Sequence, residues 1–220
     1  MNFSASPLRQ VAKRLLVMSD CSRSLSDVKN LLQACRGYDP QQRMKFYDTW
    51  AQTYEQDSER MNYRAPDLVV DFLNANFCGS REEVRVLDVA CGSGLVAKLM
   101  AGLGFRHFVG VDGSKGMLEQ AAKTGLYQDL RPALLGTQPL PAEPGGYVCM
   151  SKVDPRSESG NGYKMSLERE LQLMEEEGLW TLVATDEMNK YMMDVYHDYE
   201  DQESVQYLGG TMYLYRKSVS

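Results

Sequence analysis

The strongest constraint in this chain is a short apolar run that passes straight into a glycine turn. Val84 to Ala90 is interrupted only by Arg85 and Asp88, and Cys91-Gly92-Ser93-Gly94 follows at once. A run of this kind suits a strand buried on both faces in a parallel sheet. The glycines suit a sharp reversal in which backbone, free of a Cβ, can approach a ligand. Leu95 to Leu103 then reads as a helix ended by Gly102 and Gly104. Phe108 to Asp112 reads as a second strand, and Ser114 caps a helix through Met117, Leu118 and Ala121 to Gly125. Strand, helix, strand, helix is the doubly wound α/β pattern, so a parallel-dominated sheet is expected.

Upstream, Leu25, Val28, Leu31 and Leu32 recur at helical spacing, with Ser26 or Asp27 as N-cap and Gly37 as the stop. A second helix is expected from about Gln42 to Asp57, where Phe46, Trp50 and Tyr54 lie one turn apart. A third opens at Pro66, with Leu68, Val69, Phe72 and Leu73 facing inward. Residues 1–40 are read as a leader with a short helix, and residues 41–220 as one domain. Beyond Gly125, Tyr147 to Met150 is a strand candidate and Asp154 to Gly162 a polar loop. Leu167, Leu171 and Met174 mark a helix ended by Gly178, and Trp180–Ala184 and Gly210–Tyr215 a final strand pair.

Composition narrows the chemistry. A net charge of -6 argues against a nucleic-acid backbone as main partner, since phosphate contacts need a concentrated basic surface; a small neutral or cationic substrate fits better. The five cysteines are scattered and form no C-x-x-C pair, and the two histidines stand apart from them. That leaves little to build a disulfide framework or a metal site from, and a reduced, cytoplasmic setting is the expectation. No apolar stretch approaches the ~20 residues that span a bilayer. The first seventeen residues carry Arg9, Lys13 and Arg14 without an acid, a weak transit-peptide composition.

Gly92-Ser93-Gly94-Leu95-Val96-Ala97 satisfies G-x-G-x-x-A, and Asp112 ends the next strand at the spacing of an acid that holds a ribose hydroxyl. Alone, this is shared by nicotinamide enzymes and methyltransferases. Asp88 separates them: dinucleotide binders keep an apolar residue there, and a carboxylate repels a pyrophosphate but suits a cationic ligand end. Gly113-Ser114-Lys115-Gly116-Met117-Leu118 adds a backbone turn and an apolar side chain beside the expected adenine.

The stretches Phe46 to Asp57, Tyr63-Arg64-Ala65-Pro66, the glycine loop, Gly110 to Ser114, and Gly125-Leu126-Tyr127-Gln128 closely resemble the methyltransferase-like proteins named for the Williams-Beuren syndrome chromosome region. The resemblance implies a Rossmann-like class I methyltransferase that binds S-adenosylmethionine, with Asp112 on the ribose hydroxyls and the Gly92 to Gly94 backbone at the methionine end. By the same likeness Tyr54 and Arg64 close over the cofactor, Arg64 suiting its carboxylate, while Tyr54 or Trp50 could face the sulfonium. Phe46, Trp50 and Tyr54 read equally as the buried face of a helix. The candidate cofactor cradle is therefore Tyr54, Arg64, Asp88, Ala90, Gly92, Gly94, Asp112, Gly113, Ser114 and Met117. No residue pattern marks a general base.

In that family the segment Leu135 to Pro141 precedes a full strand and helix, but here Pro144-Gly145-Gly146 follows almost directly. The resemblance thus implies a sheet shortened by its fourth, central strand. A link of about ten residues reaches ~33 Å, against ~22 Å to place the next strand beside the first, so that path is nearly taut. The function expected is methyl transfer to a small-molecule acceptor. The alternatives are a cofactor-binding but inactive form and a nicotinamide-dependent oxidoreductase.

Overall fold

The computed structural model describes residues 23–35, 37–133, 143–154, 158–194 and 206–219, with the backbone alone at 158–161 and 163. The leader reading for residues 1–22, and most of the expected taut link, fall outside these residues. Among those described, no helix is long and apolar enough to cross a membrane.

Four helices precede the first strand: α1 (Leu25–Ala34), α2 (Pro40–Trp50), α3 (Tyr54–Arg60) and α4 (Ala65–Asn76). Helix α1 starts two or three residues earlier than Ser26 or Asp27 would place it. Ser24 is the cap, accepting from the Asp27 amide while the Asp27 carboxylate accepts from the Ser24 amide. Asp39 and Gln42 make the same reciprocal box at α2. The single helix expected over 42–57 is two helices, because the chain folds back at Ala51 to Thr53. That reversal lets the Trp50 indole donate to Asp57 Oδ2 at 2.8 Å. Asp57 is fully buried and also accepts from Thr53 Oγ1 at 3.0 Å and from Arg23 at 2.6 Å. Val28, Trp50 and Met61 close over this group as one cluster.

The α/β core follows in the expected order: β1 (Arg85–Val89), α5 (Leu95–Gly102), β2 (His107–Asp112) and α6 (Lys115–Lys123). A further strand, β3 (Tyr127–Pro132), was not foreseen. Its Gln, Asp, Arg and terminal Pro carry no strand pattern, yet at a sheet edge they cost little. Strands β1, β2 and β3 pair parallel in that order. Phe108 and Val86 pack with Val70 of α4, Ala97 and Met100 of α5, and Phe105 of the link to β2.

The remainder is a second sheet, not an extension of the first. Strands β4 (Tyr147–Val153), β5 (Trp180–Met193) and β6 (Tyr207–Lys217) are antiparallel in the order β4-β6-β5. Thus β4 pairs with β6 and makes no ladder with β1, and the α/β fold comprises a parallel three-stranded sheet plus an antiparallel one. The seam falls where the resemblance leaves out a strand. Helix α7 (Glu158–Glu176) begins inside the expected Asp154–Gly162 loop, its Leu167 and Leu171 packing on Met150, Tyr213 and Tyr215. Burial of that stripe outweighs the low helix propensity of Gly160 and Gly162.

Helix α4 joins the two sheets. Ala65, Leu68, Val69 and Phe72, spaced i, i+3, i+4, i+7, pack on Met188, Tyr191 and Met212 of the second sheet. Val70, Leu73 and the following Phe77 pack on the first, and the Phe77 ring also meets Tyr147 of β4 at 5.6 Å.

Two outcomes follow. Phe72→Asp uncouples the sheets, so that calorimetric unfolding divides into two transitions where the native chain gives one. Asp57→Ala strands Arg23 and the Trp50 indole without their acceptor and lowers stability by about 3–5 kcal/mol in denaturant titration.

Candidate cofactor site

The site forms where β1 and β2 end side by side. Register sets Asp88 opposite Gly110 and Val89 opposite Val111, so the turns after the two strands are neighbours. The first turn is tight: Ala90 (φ 58°), Gly92 (φ 55°) and Gly94 (φ 91°) all take left-handed conformations. For Ala90 this costs ~1 kcal/mol or more, strain of the kind held at ligand sites. Gly94 accepts from the Lys98 amide at 3.0 Å, so the turn opens directly into α5.

Asp112 ties the two turns together. One carboxylate oxygen accepts from the Gly92 amide at 2.9 Å and the other from the Ser114 amide at 2.8 Å. Each oxygen keeps a lone pair for a further donor. Ser114 in turn caps α6, accepting from the Met117 amide at 3.2 Å, and donates to Asp48 Oδ1 at 2.7 Å. Asp48 also accepts from the Gly116 amide at 2.9 Å, which docks α2 against the α6 N-terminus. A second link, Lys98 to Glu55 at 2.7 Å, joins α3 to α5.

Asp88 is buried, with 8% exposure, and Oδ2 accepts from the Tyr127 hydroxyl at 2.7 Å. Burial raises its pKa to about 6, with the Asp112 charge adding to the effect and the Tyr127 hydrogen bond opposing it. Ser93 Oγ is buried without a hydrogen-bond partner among the described residues.

The structure brings together Asp88, Ala90, Gly92, Gly94, Asp112, Gly113, Ser114 and Met117, at the ends of β1 and β2, on the turns that follow them and on the first turn of α6. Tyr54 joins them from the N-terminal helices: burial and the neighbouring Tyr47 hydroxyl push its phenol up to about 12, with Asp112 contributing. Arg64 stands at the N-cap of α4. Its side chain is exposed and makes no ion pair among the described residues, while its amide donates to the Tyr191 carbonyl at 3.1 Å. Trp50, the other aromatic considered for a sulfonium, is in the core with its indole committed to Asp57.

Three polar groups were missed in the sequence: Asp48, Tyr127 and Tyr191. Asp48 and Tyr127 lie inside stretches that carry the family resemblance, which is the one signal that could have marked them. Tyr191 sits in the β5 bulge, its hydroxyl 3.0 Å from Ser151 Oγ, and has no local signature.

A methyltransferase domain model matches residues 86–144, from within β1 to just short of β4. Methyltransferase-like protein 27 of Homo sapiens is 39% identical over 189 residues, covering 71% of this chain and 76% of that protein. This chain belongs to that family of S-adenosylmethionine-dependent methyltransferases. Solved structures of similar fold include the [4+2]-cyclase SpnF (16% identity, 82% of this chain and 96% of that one, TM-score 0.58). Another is a chain of the complex between the Haloferax volcanii Trm112 methyltransferase activator and a methyltransferase (13% identity, 80% of this chain and 97% of that one, TM-score 0.54). The methyltransferase family membership sets aside the nicotinamide alternative.

The Asp88 pKa carries a stability consequence. The native state holds this proton more tightly than the unfolded chain, so without ligand stability falls as pH rises from the unfolded value of 3.8 through about 6. Asp88→Asn removes that loss, and thermal melts at pH 7.5 are expected to rise relative to the native protein while the difference closes near pH 4.

Proposed function

We propose that this chain binds S-adenosylmethionine between its two βα turns and transfers the methyl group to a small-molecule acceptor. The observation that carries the reading is the Asp112 bridge, which fixes the Gly92 and Ser114 amides about one carboxylate. The residues fit the cofactor. Asp112 has lone pairs for ribose hydroxyls, the Gly92 to Gly94 turn offers bare backbone, and Ser93 supplies a hydroxyl without a hydrogen-bond partner among the described residues. Met117 gives an apolar contact beside the turn, and Asp88 a carboxylate for the ammonium of the methionine end.

The cofactor supplies a methyl group on a sulfonium, activated enough that no protein nucleophile is required. What the chain contributes is alignment and exclusion of water. Tyr54, held edge-on against Trp50 at 4.9 Å, covers the site from the N-terminal helices, which Asp48 and Glu55 clamp to α6 and α5. The net charge of -6 supports a small neutral or cationic acceptor over nucleic acid. The cytoplasmic setting expected from the scattered cysteines belongs to the same reading.

A second reading, cofactor binding without methyl transfer, is favoured by one observation: among the described residues the sheet is split beside β1, and no strand pairs with β1 on that side of the site. The fold leaves both open, since a [4+2]-cyclase shares it.

Calorimetric titration with S-adenosylmethionine and S-adenosylhomocysteine tests the first step. Micromolar binding is expected, weakened at least tenfold in Asp112→Ala. A folded protein that gives no heat with either ligand overturns the proposal. Label transfer from methyl-tritiated cofactor to low-molecular-weight acceptors then separates the two readings.

A further inference from the structure

The Tyr127 side chain reaches across the sheet beneath the glycine turn to Asp88 of the cradle. It stands at the start of β3, and its hydroxyl donates to Asp88 Oδ2 on β1, passing over β2. The crossing is possible because Gly110 of β2 lies between. A Cβ at Gly110 would meet Tyr127 Cε1 at 2.9 Å and Leu130 Cδ2 at 2.7 Å, closer than real contacts come. The same ring lies 3.2 Å from a Cβ built at Gly94, so it supports the turn from below.

We propose that Tyr127 is a positioning residue for cofactor binding, holding the Asp88 carboxylate ionised and aimed at the cationic end of the cofactor. This rests on the reading that the cradle binds S-adenosylmethionine. The physical argument concerns what surrounds Asp88. The groups that face it are Asp112 at the end of β2, Cys91 in the turn and Tyr127 on β3. Asp112 opposes ionisation by like charge, and Cys91 is held as a neutral thiol, its pKa pushed up to about 12 by burial and by Asp88. Tyr127 alone among them stabilises the carboxylate, by a hydrogen bond to its charged form. Tyr127 itself stays protonated, its pKa raised far above the usual phenol range by burial and by Asp88, so it is a donor at every working pH.

The sign follows. Cofactor affinity should rise with pH as Asp88 ionises near 6, and loss of the hydroxyl should move that midpoint upward. Each unit of movement makes the carboxylate tenfold scarcer below the midpoint.

The test uses Tyr127→Phe, which keeps the ring between Gly94 and Gly110 and removes only the hydroxyl. Asp88 is followed in the ligand-free protein by carboxyl carbon NMR, and S-adenosylhomocysteine affinity by calorimetry from pH 5.5 to 8.5. The Asp88 midpoint is expected to rise by about one unit, with affinity falling roughly fivefold at pH 6 and returning to within about threefold of native at pH 8.5. Asp88→Asn should flatten the profile whether or not Tyr127 is replaced. An unchanged Asp88 midpoint, or an affinity loss equal at all pH values, overturns the proposal. If the native protein binds no S-adenosylhomocysteine at any pH, the cofactor reading fails instead, and the NMR midpoint still decides whether Tyr127 governs Asp88. Should Tyr127→Phe prove unfolded, Gly110→Ala, which forces the ring aside, must raise the same midpoint or the proposal falls.

Discussion

The two hydrogen bonds accepted by Asp112 hold the cradle in one piece. A parallel pair of strands brings two turns to the same edge but does not fix their amides relative to each other. Here a single carboxylate, at the last residue of β2, takes the Gly92 amide with one oxygen and the Ser114 amide with the other. Both donors stand near helix N-termini, where a negative charge is favoured by the helix dipole and by otherwise unsatisfied amides. Strain at Ala90, capping of α6 by Ser114 and docking of α2 through Asp48 all depend on the turns staying where this carboxylate holds them.

The other constraint is the division of the sheet. A continuous α/β sheet transmits position from strand to strand through its ladders, but between β1 and β4 there is no ladder. Position passes instead through α4, whose two apolar stripes are laid on the two sheets. The turn before α4 reinforces this. Arg64 donates to Tyr191, and the Met193 amide donates to Met61 at 3.3 Å, so the second sheet is fastened to the N-terminal helices that cover the site. Helix packing can hold two sheets together, but it specifies their relation less sharply than a row of hydrogen bonds. For that reason the half of the site built on β1 and β2 is well defined, while the acceptor side is what the division affects.

Much of this was legible. The β1 and β2 strands, the glycine turn, α5 and α6 stood out because each has a strong local rule: an apolar run, a glycine pair, a capping serine. Where rules were weak the reading failed. The break at Ala51 to Thr53 is set by Trp50 reaching Asp57, a contact no helical periodicity encodes. Strand β3 is polar because it lies at an edge, so it carries no apolar alternation to read.

By itself the sequence determined the βαβ core and the residues of its turns, since strand hydrophobicity, glycine torsions and helix capping act over a few neighbouring residues. Through family resemblance it also raised the expectation of a shortened sheet, and the described residues form a parallel sheet of three strands. Only the tertiary structure decided that β4 would pair with β6 and leave β1, that α4 would serve two sheets, and that Tyr127 would reach Asp88 across Gly110. These depend on pairing partners far apart in the chain, where burial and hydrogen-bond satisfaction are settled by competition among surfaces, not by any local pattern.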